Sequence, residues 1–266
     1  MVKLFKLNEE IDDARKYWLE AMEPHVFVAK DNTKLPYRLY VPNNYTPDKK
    51  YPLQMHLHGA GLRGNDNSFQ LYHDTKQTQM MFAYQHYEEF IFAIPQCPIE
   101  YTWSVMKYDE TKREWEMPRL DQTQAHAITC AVHELTLHLA ETYSVDRTRM
   151  YVSGASMGGA GAYEQLYRYR DSYAGAIVGC TVSDPYAAAD LAGVPMYILH
   201  GDSDSTISVE HSRKMVQALE KAGGEFVYLE FPGREHDFTA VPTGDAELGD
   251  AMRWMFSKKL TRKEYL

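Results

Sequence analysis

The sequence predicts an α/β fold, with a mostly parallel central sheet, helices on both faces and no large cap domain. Three observations carry that expectation. Short β-rich apolar runs alternate with longer amphipathic stretches over roughly 180 residues, the pattern of parallel strands joined by right-handed crossovers. No repeat, low-complexity tract or Pro/Gly/Ser-rich linker breaks the alternation, so one domain over 1–266 is expected, with 1–24 as an N-terminal extension. The composition, 44% hydrophobic and 24% charged over 266 residues, is that of a globular chain long enough to build its own core.

Taken in order, residues 25–29 and 35–41 read as an opening antiparallel pair, and 53–57, 90–94, 149–152, 175–178, 196–199 and 226–231 as further strands. Ile128, Val132, Leu135 and Leu139 step by four, three and four, an apolar stripe that predicts a helix over 121–143. Helices are also expected near 157–170, 209–222 and 246–258. The charged stretch 106–118, which carries Trp115, reads equally as an exposed hairpin or as a small lid. Sites in parallel sheets gather at the carboxyl ends of the strands, so the residues following each strand hold the chemistry.

Charge and cysteine content exclude several classes. A net charge of −9 argues against a nucleic-acid surface. The N-terminal stretch turns acidic after seven residues, and no run approaches the ~18 apolar residues of a membrane span, so the chain reads as cytoplasmic and soluble. A leader already cleaved would leave the same start. Cys97, Cys130 and Cys180 are far apart and odd in number, which fits buried thiols better than a disulfide framework or a four-cysteine zinc site. Asn44-Tyr45-Thr46 forms a sequon of a kind that also arises by chance.

Four strand-end segments stand out. Gly154-x-Ser156-x-Gly158 follows one strand and opens a helix. A turn of this kind strains the serine backbone and crowds its neighbours, so small residues are needed two positions either side, and the helix N-terminus favours a developing oxyanion. The plain alternative is a tight turn with an idle serine. GxxxxGK[ST] is absent, and Ser156 stands where the second glycine of GxGxxG is needed, so no nucleotide loop fits. Asp202 and Asp204 lie in the loop after 196–199, and His236 lies after 226–231. Serine, aspartate, histidine is the chain order of one hydrolase topology, each member following its own strand. After 53–57 comes His58-Gly59-Ala60-Gly61, whose Ala60 N–H, with that of Met157, suits an oxyanion hole.

No metal or other cofactor is expected. His56 and His58 share a strand face without a third ligand nearby, and His133-Glu134 with His138 misses the spacing of HExxH by one residue. Most of the 34 aromatic residues belong to core and rim, yet Tyr72, Trp103 and Trp115 fall in segments where a substrate ring could rest.

At this level of detail the sequence resembles serine esterases of the α/β-hydrolase superfamily, in the group of small esterases and predicted peptidases that includes feruloyl-esterase-like and polyhydroxybutyrate-depolymerase-like enzymes. The similar segments are LPYRLYVP (35–42), HLHGAGLRGNDN (56–67), PQCP (95–98) with Trp103, GASMGG (154–159), HGDSDSTI (200–207) and GREHDF (233–238). The group's HGxxDxxV pattern selects Asp204 over Asp202, although Ile207-Ser208 stand where valine-proline usually ends that loop. The resemblance implies an α/β-hydrolase fold and ester hydrolysis through an acyl-enzyme, with Ser156 as nucleophile, His236 as base and Asp204 as its orienting acid. The expected substrate is a short acyl, aryl or carbohydrate-linked ester, and no nucleic acid or membrane partner is expected. A prolyl-oligopeptidase-like peptidase and an inactive hydrolase used as a binding module are the alternatives; the intact serine, aspartate and histidine count against the second.

Overall fold

The computed structural model describes residues 19–73, 88–236 and 245–260. Its centre is an eight-stranded sheet. The strands are β1 (Glu23–Val28), β2 (Lys34–Tyr40), β3 (Tyr51–Leu57), β4 (Ile91–Pro95), β7 (Val145–Ala155), β8 (Gly175–Gly179), β9 (Met196–Gly201) and β10 (Phe226–Phe231). They lie in the order β1-β2-β4-β3-β7-β8-β9-β10. The first two pairings, β1 with β2 and β2 with β4, are antiparallel, and every pairing from β4 to β10 is parallel. This is the α/β-hydrolase arrangement that the sequence implied.

Strands covered on both faces must be apolar at successive positions. Every residue of β4, β8 and β9 is buried. Their side chains alternate between two cores. Leu53, Met55 and Leu57 of β3, with Ile198 of β9, pack on one face beneath α2 (Ala127–Thr142), α3 (Met157–Tyr169) and α5 (Glu210–Ala222). Tyr151 of β7, with Tyr197 and Leu199 of β9, meets α6 (Asp245–Phe256) on the other. Two short helices, α1 (Phe69–His73) and α4 (Ala188–Leu191), also lie among the described residues.

The long helix starts later than its stripe suggested. Residues 120–122 form a separate 3₁₀ turn, Thr123 is extended and α2 begins at Ala127. The reason is tertiary: Asp184 accepts the Leu120 N–H at 2.8 Å, and Arg168 donates to the Thr123 carbonyl and hydroxyl, both at 3.1 Å. These bonds hold the segment out of helix. Residues 106–118 form the hairpin β5 (Lys107–Asp109) and β6 (Glu114–Glu116), with Trp115 edge-on to Tyr108. Among the described residues no helix is long and apolar enough to cross a membrane.

Candidate active site

Ser156 occupies the one-residue turn between β7 and α3 with φ 55° and ψ −124°. A non-glycine residue at positive φ is strained, and the surrounding packing holds it there. The Ser156 N–H donates to the Gly179 carbonyl at 3.0 Å, and the Thr181 hydroxyl donates to the Ser156 carbonyl at 2.6 Å. Crowding explains both glycines. A Cβ at Gly154 would sit 2.4 Å from the Gly158 backbone, and one at Gly158 only 1.8 Å from the Leu57 carbonyl oxygen. The elbow is thus wedged against the end of β3.

The turn after β3 runs close beside the serine: a Cβ at Gly59 would lie 4.0 Å from Ser156 Cβ. Ala60 opens a 3₁₀ turn and Met157 opens α3. Backbone N–H groups at such starts have no acceptor within their own turn.

His236 joins the two other groups. Its Nε2 lies 2.9 Å from Ser156 Oγ and its Nδ1 lies 2.7 Å from Asp204 Oδ2. An ionised carboxylate only accepts, so Nδ1 carries the proton and Nε2 is left to accept from the serine hydroxyl. The Asp204 side chain is fully buried, and its second oxygen accepts the Thr206 and Ile207 N–H groups at 2.9 and 2.8 Å. Burial works against its charge. Hydrogen bonds from His200, His236 and the Ile207 N–H outweigh that penalty and hold the carboxyl well below the usual carboxylate range. A hydroxyl, an imidazole and a buried carboxylate in this line can move a proton off an attacking oxygen and return it to a leaving group.

With this geometry in view, comparison with known proteins is decisive: the dienelactone hydrolase family matches residues 94–255, a span that takes in Ser156, Asp204 and His236. The chain belongs to the dienelactone hydrolase family. A thermostable esterase superposes with a TM-score of 0.78 at 27% identity, over 91% of this chain and 64% of its own. This member of the family therefore spans less than two thirds of that esterase. A CE1 ferulic acid esterase from Anaeromyces mucronatus, solved with ferulic acid, shares the fold at a TM-score of 0.61 and 16% identity, over 90% of each chain. An uncharacterized secreted protein from Arthroderma benhamiae is 41% identical over 56 residues, 21% of this chain and 6% of its own.

One expectation is corrected within this family member. Trp103 is 1% exposed and cannot serve as a stacking platform for substrate. Its indole N–H donates to the His58 carbonyl at 2.9 Å, its ring meets His58 edge-on at 5.2 Å, and a Cβ at Gly161 would come within 2.4 Å of it. It braces the turn that presents Ala60. Trp115 is half-buried on the hairpin against the main core, and the side chain of Tyr72 lies outside the described residues. His58 has both ring nitrogens engaged by backbone groups: Nε2 accepts the Cys97 N–H at 3.0 Å and Nδ1 donates to the Gly59 carbonyl at 2.7 Å.

Sequence reasoning also passed over a second imidazole. His200, fully buried at the end of β9, places Nε2 3.3 Å from Asp204 Oδ2 and 2.9 Å from the Ile207 carbonyl. Neither can donate, so Nε2 carries the proton, and Nδ1 pairs with the Ser212 hydroxyl at 2.7 Å. The histidine that opens HGxxD was the available signal, read only as part of a pattern.

Proposed function

We propose that the protein is a serine carboxylesterase that cleaves short acyl, aryl or carbohydrate-linked esters through an acyl-enzyme on Ser156. The observation that carries this reading is the unbroken line Ser156 Oγ, His236 Nε2, His236 Nδ1 and Asp204 Oδ2, with links of 2.9 and 2.7 Å.

As the Ser156 oxygen attacks the ester carbonyl, its proton passes to His236 Nε2. The imidazolium forms against the Asp204 carboxylate, which stabilises it and holds its orientation. Negative charge on the former carbonyl oxygen is met by the Ala60 and Met157 N–H groups and by the positive end of α3. His236 then protonates the departing alcohol. In the second half water takes the place of the alcohol, loses its proton to His236 and releases the acid. Esters are favoured over amides because an alkoxide leaves with less assistance than an amine. An aryl or sugar portion finds its aromatic contact at Trp115 on the hairpin, as Trp103 is withdrawn into the core.

The test is covalent labelling together with a substrate panel. A fluorophosphonate should modify Ser156 and no other serine, and Ser156→Ala should abolish both labelling and hydrolysis. The panel is p-nitrophenyl esters of rising chain length, hydroxycinnamate methyl esters, acetylated xylan and aminoacyl-proline amides. Turnover of the amides alone would make the protein a peptidase, and labelling without turnover of any ester would make it a binding module.

A further inference from the structure

The end of β8 delivers a group that the proposed mechanism does not use. Cys180 follows β8 at φ 34°, buried to 3% exposure, with its backbone N–H donating to the Leu199 carbonyl at 2.8 Å. Its sulfur, a carboxylate oxygen of Asp204 and a ring nitrogen of His236 all lie within 4.8 Å of one another. Thiolate, carboxylate and imidazole are a donor set matched to zinc and its thiophilic relatives.

We propose that Cys180, Asp204 and His236 form an inhibitory site for a thiophilic divalent cation such as zinc or cadmium. Zinc bonds of ~2.3 Å to sulfur and ~2.0 to 2.2 Å to nitrogen and oxygen put tetrahedral ligands roughly 3.3 to 3.7 Å apart. The His236 to Asp204 contact at 2.7 Å must open by about 1 Å or less and the thiol must draw in by at most about 1.5 Å, both within reach of side-chain adjustment. Binding breaks the S–H bond, forms the S–metal bond and releases that proton to solvent. The two anionic ligands balance the dication. The His236 side chain is 23% exposed, which gives the ion a way in.

Occupancy silences the base whichever ring nitrogen is taken. At Nδ1 the metal displaces the proton to Nε2, which can then no longer accept from Ser156. At Nε2 the lone pair that Ser156 needs is itself consumed. This inhibitory consequence rests on the proposed role of His236, whereas the site itself rests only on the three ligands.

Cadmium chloride titrated into the protein should raise an ultraviolet thiolate-to-metal charge-transfer band at one ion per chain and block fluorophosphonate labelling of Ser156. Chelation should reverse both. In Cys180→Ala and Cys180→Ser the band should vanish, and the zinc concentration for half inhibition should rise by more than the ~100-fold that losing an outer-shell partner can cost. Zinc-edge X-ray absorption on the wild type needs no variant and should show one sulfur among nitrogen and oxygen neighbours. A shell without sulfur, or a band that survives in both Cys180 variants, overturns the proposal. Stoichiometric binding that leaves Ser156 labelling intact overturns the switch. A chain that binds cadmium through Cys180 yet hydrolyses no ester leaves the metal site standing and removes the esterase reading.

Discussion

His200 donates its Nε2 proton toward Asp204 Oδ2 from 3.3 Å, so the oxygen that orients His236 is held from behind by a second imidazole. Both oxygens of the carboxylate are therefore committed before substrate arrives. A buried hydrogen bond to a charged group contributes about 1.5 to 3 kcal/mol. His200→Leu should lower kcat by about 10- to 100-fold with KM little changed, and His200→Gln, which can still donate, should recover most of the loss. Steady-state kinetics on p-nitrophenyl acetate decide it, and equal rates for wild type and His200→Leu would refute this positioning role.

The two loop aspartates should separate sharply. Asp204 meets His236, whereas Asp202 accepts from the Gly233 N–H at 2.6 Å and from the Ser203 hydroxyl at 2.9 Å, tying its loop to the turn that carries His236. Asp204→Asn should cost about 10⁴-fold in kcat, the scale of the same change in a serine protease triad. Asp202→Asn loses only charge from a loop contact and should cost no more than about tenfold. The reverse ranking would reassign the acid.

Burial of Trp103 changes what its substitution should do. Trp103→Phe removes the bond to the His58 carbonyl and should slow every ester alike, acetate included, because the Ala60 turn loses its brace. Trp103→Ala should also destabilise the protein by about 3 to 5 kcal/mol in chemical denaturation. Loss confined to aryl esters would mean that the ring contacts substrate after all.

A pH dependence of stability follows from the Asp204 carboxyl, whose folded-state pKa lies below the ordinary ~3.9 of an unfolded aspartate. A depressed carboxylate stabilises the fold above its unfolded value, and that contribution is lost as pH falls through the folded value. The melting-temperature gap between wild type and Asp204→Asn should thus be full-sized above about pH 5 and shrink as pH is lowered from ~4 toward 2. Calorimetry across that range checks it, and a gap independent of pH would contradict it.

Much of the sheet was legible because strands buried on both faces must be apolar throughout: the expected run 175–178 meets β8 (Gly175–Gly179) and 196–199 meets β9 (Met196–Gly201). Ser156 and His236 were legible through their immediate neighbours. What escaped depends on partners far along the chain. The helix start moved because Arg168 reaches Thr123 across 45 residues. Trp103 was misplaced because an aromatic residue in a strand-end loop has no periodicity to separate inside from outside, and its partner His58 is 45 residues away. Cys180 carried no motif, and its neighbours appear only when β8, β9 and β10 lie side by side.

Ser156 and His236 lie 80 residues apart, Asp204 and His236 32 apart, and each group rides on a different parallel strand. Contacts of such long sequence separation form late and cost chain entropy before they return any. β10 sits at the sheet edge with only half-buried residues, so its docking has little apolar burial to drive it. Hydrolysis is consequently a reporter for the last event of refolding: helical signal and tryptophan burial should return first, and turnover only when the edge strand has docked and swung His236 onto the serine.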